Sequence, residues 1–376
     1  MAERCANLPI ISLSALRCLC PKELEKLRRA CTTEGFFYAS DHGIGEEIVN
    51  EATVSALRFF SLPLEKKLQF SQEHQSITPK TCRGYVPAGG ETLDSTRGAD
   101  PKEIFDDGLE VEGEKGRANF MGRTFLPDET TAPGFAASTA ALRREVVDKV
   151  MPPLCKAFSI LLGHKETFLD EFMSPPTLIQ RCIFYPANCN SFAGKHTDNG
   201  LFTALLVPKM PTTNEPSPHD TNGSVSETGD DDKTATPPKA SLEVFTQGRW
   251  IPVPPLKGCF PVNIGDLLQH ISGGTFVSTP HRVEHHFSPS PRISFPFFFY
   301  PFYESRVPVV ALEEEEDSSH QLIKVRGGEG KGNNEETGRD PEKTSGFVSV
   351  KEVMDRNFSQ IWQEGGGAGR SKELED

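Results

Sequence analysis

Apolar and polar positions follow two different periods in the first 75 residues. Leu8-Pro9-Ile10-Ile11-Ser12-Leu13 is a short apolar run of strand length. Pro21-Lys22-Glu23-Leu24-Glu25-Lys26-Leu27 opens a helix, with proline in the first turn, where its missing N–H has no helical partner. Gly35-Phe36-Phe37-Tyr38-Ala39 reads as a second strand, closed by a turn at Asp41-His42-Gly43. A second helix carries Val54, Leu57 and Phe60 on its buried face and stops at Leu62-Pro63. Farther on, Leu142, Val146, Val150, Leu154 and Phe158 recur every four residues, which predicts one long helix from about Ala136 to Leu162. Pro152-Pro153 should kink it, because each proline removes a backbone donor. Such a helix backs a sheet. From Leu178 to Tyr303, short apolar and aromatic runs are separated by Gly and Pro, the texture of a β-sandwich or jelly roll.

The predicted class is therefore mainly β with flanking helices. An N-terminal α/β segment spans 8–125, a backing helix lies within 126–175, a β core spans 176–303, and a tail spans 304–376. Residues 209–240 are rich in Pro, Thr, Ser, Asn and Asp, and 313–346 begin with Glu313-Glu314-Glu315-Glu316-Asp317. Neither stretch has the large apolar side chains needed to offset chain entropy, so both are expected to be mobile surface segments. Ser349-Val350-Lys351-Glu352 matches a capping box for a terminal helix over 349–362, with Val350, Val353, Phe358 and Ile361 on one face.

Charge and composition narrow the function. The net charge of −13 argues against nucleic-acid or anionic-membrane partners, which require a basic face. No apolar run approaches the roughly 18 residues of a spanning helix, and no charged-then-apolar leader is seen. Nine scattered cysteines without a C-x-x-C pair fit a reduced, cytoplasmic protein. A monomer acting on a small molecule is the expectation.

The chemistry gathers in the β core, at Gly194-Lys195-His196-Thr197-Asp198-Asn199. Side chains two apart on a strand share a face, so His196 and Asp198 can offer an imidazole nitrogen and a carboxylate oxygen to one ion. The best third ligand is His281, in Ser278-Thr279-Pro280-His281-Arg282-Val283. Two histidines and one carboxylate form the facial triad that holds Fe(II) with three positions open. Eleven residues after His281 comes Arg292-Ile293-Ser294, which sends a guanidinium fork and a hydroxyl to one face, suited to a carboxylate. Tyr185, before the His-x-Asp strand, offers a phenol that can reach the same anion. Together they suggest a keto acid chelating the metal, its far carboxylate held by Arg292 on a neighbouring strand.

At this point the sequence resembles the 2-oxoglutarate- and Fe(II)-dependent oxygenases, in the branch with isopenicillin N synthase, the cephalosporin expandases and the plant flavonoid and gibberellin oxidases. The likeness rests on an ordered set over most of 8–303. It includes Phe59-Phe60-x-Leu62-Pro63-x-Glu65-Lys66-Lys67, Arg83-Gly84-Tyr85 and Lys102-Glu103-x-Phe105. Downstream follow Trp250-x-Pro252-Val253-Pro254-Pro255, Val262-Asn263-Ile264-Gly265-Asp266-x-Leu268-Gln269 and His281-Arg282-Val283. The resemblance implies a double-stranded β-helix, with His196, Asp198 and His281 as iron ligands. It also implies Arg292, Ser294 and Tyr185 as contacts to the carboxylate of 2-oxoglutarate. The activity implied is oxidation of a small organic metabolite with O2, releasing succinate and CO2.

Three departures accompany the likeness. Between Asp198 and His281 lie 82 residues; without 209–240 there would be 50, close to the family spacing, so that stretch reads as a surface insertion. The clamp arginine sits one residue farther from His281 than in the plant enzymes, which predicts a bulge. Ile183 stands where plant enzymes carry Asn. Competing functions are an isopenicillin-synthase-like oxidase without a keto acid, a non-catalytic protein on the same fold, and a Zn(II) hydrolase. His42, His74, His164 and His320 read as structural. His285 and His286 read as structure or substrate contacts. Gly265-Asp266 reads as a turn before a strand. Arg181 stands between a substrate contact and a surface salt bridge.

Overall fold

The structure is a computed structural model that describes residues 8–71, 83–111, 120–210, 242–310 and 346–356, except 95, 97, 189, 288 and 289, plus a short strand pair at 312–313 and 324–325. Most of the expected insertion 209–240 and of 313–346, together with His74, His320, Phe358 and Ile361, lies outside the described residues, as do the side chains of His285 and His286.

The chain begins with β1 (Ile10–Ser12), α1 (Leu13–Arg17), α2 (Pro21–Thr32), β2 (Phe36–Ser40), α3 (Glu46–Phe60) and α4 (Leu64–Leu68). Next come β3 (Gly84–Val86), β4 (Glu103–Gly108), α5 (Phe135–Lys149) and α6 (Met151–Leu161). The β core contains β5 (Thr177–Tyr185), β6 (Asn190–His196), β7 (Phe202–Leu206), β8 (Leu242–Thr246), β9 (Arg249–Pro252) and β10 (Cys259–Ile264). It ends with α7 (Asp266–Ile271), β11 (His281–Phe287), β12 (Arg292–Tyr300) and the short β13 (Arg306–Pro308). An eight-stranded sheet runs β1-β2-β10-β7-β12-β5-β4-β3, and a four-stranded sheet runs β6-β11-β8-β9. Only β1–β2 is parallel within these two sheets. The predicted jelly roll is present.

Strand alternation explains how the larger sheet is buried on both faces. On β12, Ile293, Phe295, Phe297 and Phe299 are wholly buried in the core shared with the helices. Phe299 stacks on Phe202, which meets Phe158 of α6. On β5, Phe184 stacks on Phe60 of α3, and Gln180 donates to the Thr139 carbonyl of α5. Arg292, Ser294 and Phe298, with Arg181, Ile183 and Tyr185, therefore point to the inner face. Phe36 and Tyr38 of β2 pack with Val244 and Ile251 of the smaller sheet, which closes the sandwich on that side.

Three expectations change in detail. The buried face of α3 is Ala52, Ala56, Phe59 and Phe60, whereas Val54 and Leu57 are half-buried. Phe59 turns the helix inward because its ring meets those of Phe60, Phe70, Tyr85, Phe105 and Phe135. Small residues then let α5 approach closely, with Ser55 and Ser138 hydroxyls 2.6 Å apart. The long helix is two helices broken at Val150, because Pro152 and Pro153 take the first turn of α6, where no helical donor is needed. The apolar stripe is nonetheless continuous: Leu142, Val146, Val150, Leu154 and Phe158 are all fully buried. Gly265-Asp266 opens helix α7 rather than a strand. At the tail, Ser349 caps the helix over 350–356 by accepting from the Glu352 N–H, as the capping box predicts.

Candidate metal centre

His196 is the last residue of β6 and His281 the first of β11, and the two face each other directly in register. Their ring centroids lie 4.3 Å apart. Asp198 follows two residues beyond β6, in the turn toward β7. Its Oδ1 is 3.7 Å from Nε2 of His196 and 3.7 Å from Nε2 of His281. The three donor atoms lie within 4.8 Å of one another. Every outward atom of the set is tied down. Nδ1 of His196 donates to the Gly194 carbonyl at 2.8 Å, and Nδ1 of His281 to the Thr279 carbonyl at 3.2 Å. A carbonyl only accepts, so both rings carry their proton at Nδ1 and present a lone pair at Nε2. The Asp198 Oδ2 accepts from Thr203 at 2.6 Å and from Asn263 at 2.7 Å, which leaves Oδ1 facing the imidazoles.

The electrostatics suit a cation. Burial and the neighbouring His281 push the His196 imidazole down to about 4, so it is neutral near pH 7. Burial alone would raise the Asp198 carboxyl. The two imidazoles and the Thr203 and Asn263 bonds outweigh it and lower its pKa, so the group is a carboxylate. Two imidazole nitrogens and one anionic oxygen, preset within slight contraction of metal–ligand distances of about 2.0–2.2 Å, fit a divalent transition ion.

The turn carrying Asp198 is held by α7. Asp266 donates its N–H to the Asp198 carbonyl at 2.7 Å, and its carboxylate accepts from the Thr197 hydroxyl at 3.1 Å. Gly265 is required at this crossing, because a Cβ there would sit 2.2 Å from the Gly200 carbonyl oxygen. Phe36 places its ring on His281, with centroids 5.4 Å apart.

The expected anion clamp lies on the larger sheet. β12 pairs with β5 and β7, so Arg292 is not on a strand adjoining either histidine, contrary to expectation. Arg292 is directly opposite Tyr185, and its guanidinium lies 4.1 Å over that ring. Ser294 is buried on the same face, opposite Ile183. A register shift between Val283 and His286 supplies the extra residue anticipated before Arg292. His42 accepts from the Ile44 N–H and His164 stacks on Phe168, both structural roles as expected.

Arg181 is neither a surface residue nor a lone one. It makes a bidentate pair with Asp106, both bonds 2.8 Å, and a second pair with Glu91 at 2.8 Å. Lys102 joins Glu91 at 2.9 Å and also binds Asp100. This inner-face network of three carboxylates and two cations is essentially buried. Burial is outweighed by Arg181 and Lys102 at Glu91, whose carboxyl falls to about 2. Burial prevails at Asp100 and Asp106, whose pKa values rise. Sequence reasoning also missed Thr203 and Asn263. The available signal was a single polar residue inside each apolar strand, Phe202-Thr203-Ala204 and Val262-Asn263-Ile264.

Two family models match the chain. Residues 8–129 match the non-haem dioxygenase in morphine synthesis N-terminal family, and residues 210–301 match the 2OG-Fe(II) oxygenase superfamily. The chain belongs to the 2-oxoglutarate/Fe(II) oxygenase superfamily. The second match takes in His281, Arg292 and Ser294, whereas His196 and Asp198 precede it. A probable iron/ascorbate oxidoreductase of Dictyostelium discoideum is 28% identical over 352 residues, covering 83% of this chain and 87% of that protein. A homoarginine-6-hydroxylase of Arabidopsis thaliana is 29% identical over 338 residues, covering 85% and 84%. In fold, the oxygenase resembles a full-length Neurospora crassa protein solved in complex with alpha-KG and 5-formyluracil. The TM-score is 0.67 at 20% identity, over 95% of this chain and 99% of that one. The protein is a 2-oxoglutarate-dependent, Fe(II) dioxygenase that oxidises a small organic molecule. Among the described residues no helix is long and apolar enough to cross a membrane.

Proposed function

We propose that His196, Asp198 and His281 hold the Fe(II) and that Arg292, Ser294 and Tyr185 receive the far carboxylate of 2-oxoglutarate. The substrate is a small polar metabolite, and the reaction is its hydroxylation with release of succinate and CO2. The observation that carries this reading is the convergence of three donor atoms within 4.8 Å, each with its outward atom already hydrogen-bonded. A structural histidine pair has no need of that arrangement. Fe(II) held by His196, Asp198 and His281 would supply the O2 chemistry on which the oxidation depends. The chain's own part is binding and orientation. The Nδ1–H bonds keep both rings turned inward, and the Tyr185 stack fixes the plane of the Arg292 fork beside the Ser294 hydroxyl. The homoarginine hydroxylase relative makes C–H hydroxylation of nitrogen-bearing metabolites the first class to screen. The enzyme acts as a cytoplasmic monomer without a nucleic-acid partner, in keeping with its net charge of −13. Residues 8–303 form one catalytic unit, and 209–240 are an insertion between β7 and β8.

Succinate formation and O2 consumption with a metabolite library, with and without 2-oxoglutarate, test the reading. O2 uptake that proceeds at full rate without the keto acid would sink it. Arg292→Ala removes a charge-assisted contact of about 1.5–3 kcal/mol, so the KM for 2-oxoglutarate is expected to rise about 10- to 150-fold. An unchanged KM assigns the carboxylate to another group. Asn263→Ala strips one donor from Asp198 and is expected to weaken Fe(II) binding about 10- to 100-fold, measured by anaerobic titration.

A further inference from the structure

Between α2 and β2 the chain turns at a point with no room for a side chain. Gly35 has φ +62°, and a Cβ there would sit 2.1 Å from the Val277 carbonyl oxygen and 2.7 Å from the Thr279 hydroxyl oxygen. The turn and the segment 277–279 are therefore in direct contact, and hydrogen bonds join them. Val277 donates its N–H to the Cys31 carbonyl at 2.8 Å, and the Thr279 hydroxyl donates to the Glu34 carbonyl at 2.7 Å. The turn itself is anchored. Gly35 donates its N–H to the Ala30 carbonyl of α2 at 2.8 Å, and its carbonyl accepts from the Ile264 N–H of β10 at 2.9 Å. One residue on, Phe36 packs its ring at 73° to that of His281 and lies opposite Asn263, the amide donor to Asp198. Thr279, buried, thus links the turn to the site: its hydroxyl holds Glu34, and its carbonyl accepts the Nδ1–H of His281 at 3.2 Å.

We infer that Thr279 is a positioning residue of the metal centre: its hydroxyl, held by the α2–β2 turn, fixes the backbone carbonyl that orients the His281 imidazole. This rests on the reading of His281 as a ligand. Pro280 confines the residue before it to extended backbone. The bond to Glu34 restricts the freedom that is left, so the direction of the Thr279 carbonyl is set from two sides. That direction matters, because the hydrogen bond at the far nitrogen of a ligating histidine decides its tautomer and the aim of its lone pair. Valine has the branched shape of threonine without the donor, so packing and positioning can be separated by one substitution.

The test compares Thr279→Val, Thr279→Ser, Thr139→Val and His281→Ala in the full chain. Readouts are anaerobic Fe(II) titration, the visible spectrum of the Co(II) form and thermal melting. Thr139 is a buried threonine of α5 whose hydroxyl donates to the Phe135 carbonyl at 2.7 Å, so its variant reports the loss of a buried hydroxyl away from the site. Thr279→Val is expected to bind Fe(II) about 10-fold more weakly, the lower end of what loss of an outer partner costs, and to shift the Co(II) bands. Thr279→Ser keeps the donor and should restore both, while Thr139→Val should change the melting temperature alone. Thr279→Val with wild-type affinity and spectrum overturns the proposal. So does Thr279→Ser as impaired as Thr279→Val, because the hydroxyl is then not the group that matters. Should Thr279→Val not fold, Thr279→Cys, with a weaker donor at the same place, carries the test. Weaker affinity and shifted bands relative to Thr279→Ser support the proposal, and equality with Thr279→Ser defeats it. Wild-type Fe(II) affinity in His281→Ala instead refutes the ligand assignment, leaving the two failures distinguishable.

Discussion

Replacing His281 with alanine is expected to lower Fe(II) affinity by more than about 100-fold, beyond the cost of losing an outer hydrogen-bond partner, and to abolish succinate formation. The reason is geometric. With His281 removed, one Nε2 and one Oδ1 remain 3.7 Å apart, and the third corner of the triangle is gone. No other described imidazole or acid joins the set, so no side chain stands ready to replace it. Anaerobic titration and turnover with 2-oxoglutarate measure both effects, with thermal melting to confirm that the variant folds. His281→Ala that binds Fe(II) as tightly as wild type and still makes succinate would remove the ligand assignment.

Arg181→Met is expected to be the most destabilising single change in the buried network, at about 3–5 kcal/mol. It leaves Asp106, fully buried, without its bidentate partner and Glu91 with only Lys102. The penalty comes from stranded carboxylates rather than from the lost attraction, because desolvated charges cost most when unpaired. Converting Arg181, Asp106 and Glu91 together to apolar residues of similar size should therefore cost less than Arg181→Met alone. Urea denaturation of the two variants decides the matter. A loss below about 1 kcal/mol for Arg181→Met is the behaviour of an exposed salt bridge and would contradict the burial.

Sequence legibility followed periodicity. Alternation on β12 and the four-residue stripe through α5 and α6 are properties of consecutive residues, so apolar positions alone reveal them. The chemistry at His196, Asp198 and His281 was legible for a related reason: two of the three share one strand end, and few residue types hold a transition metal. The rotation of α3 was not legible, because Ala52 and Ala56 look ordinary until a second helix packs on them.

Spacing and residue type along this chain were enough to name the β-rich class and to single out the three side chains that converge, with Arg292 and Ser294 as the proposed anion clamp. They could not say that Arg292 lies in the opposite sheet from the histidines, or that Arg181, Asp106, Glu91, Lys102 and Asp100 meet inside the protein. Those facts depend on which strand lies beside which and on how a loop folds back across a sheet edge. Such neighbours are set by long-range packing, and a charged side chain reads the same in sequence whether water or another chain segment surrounds it.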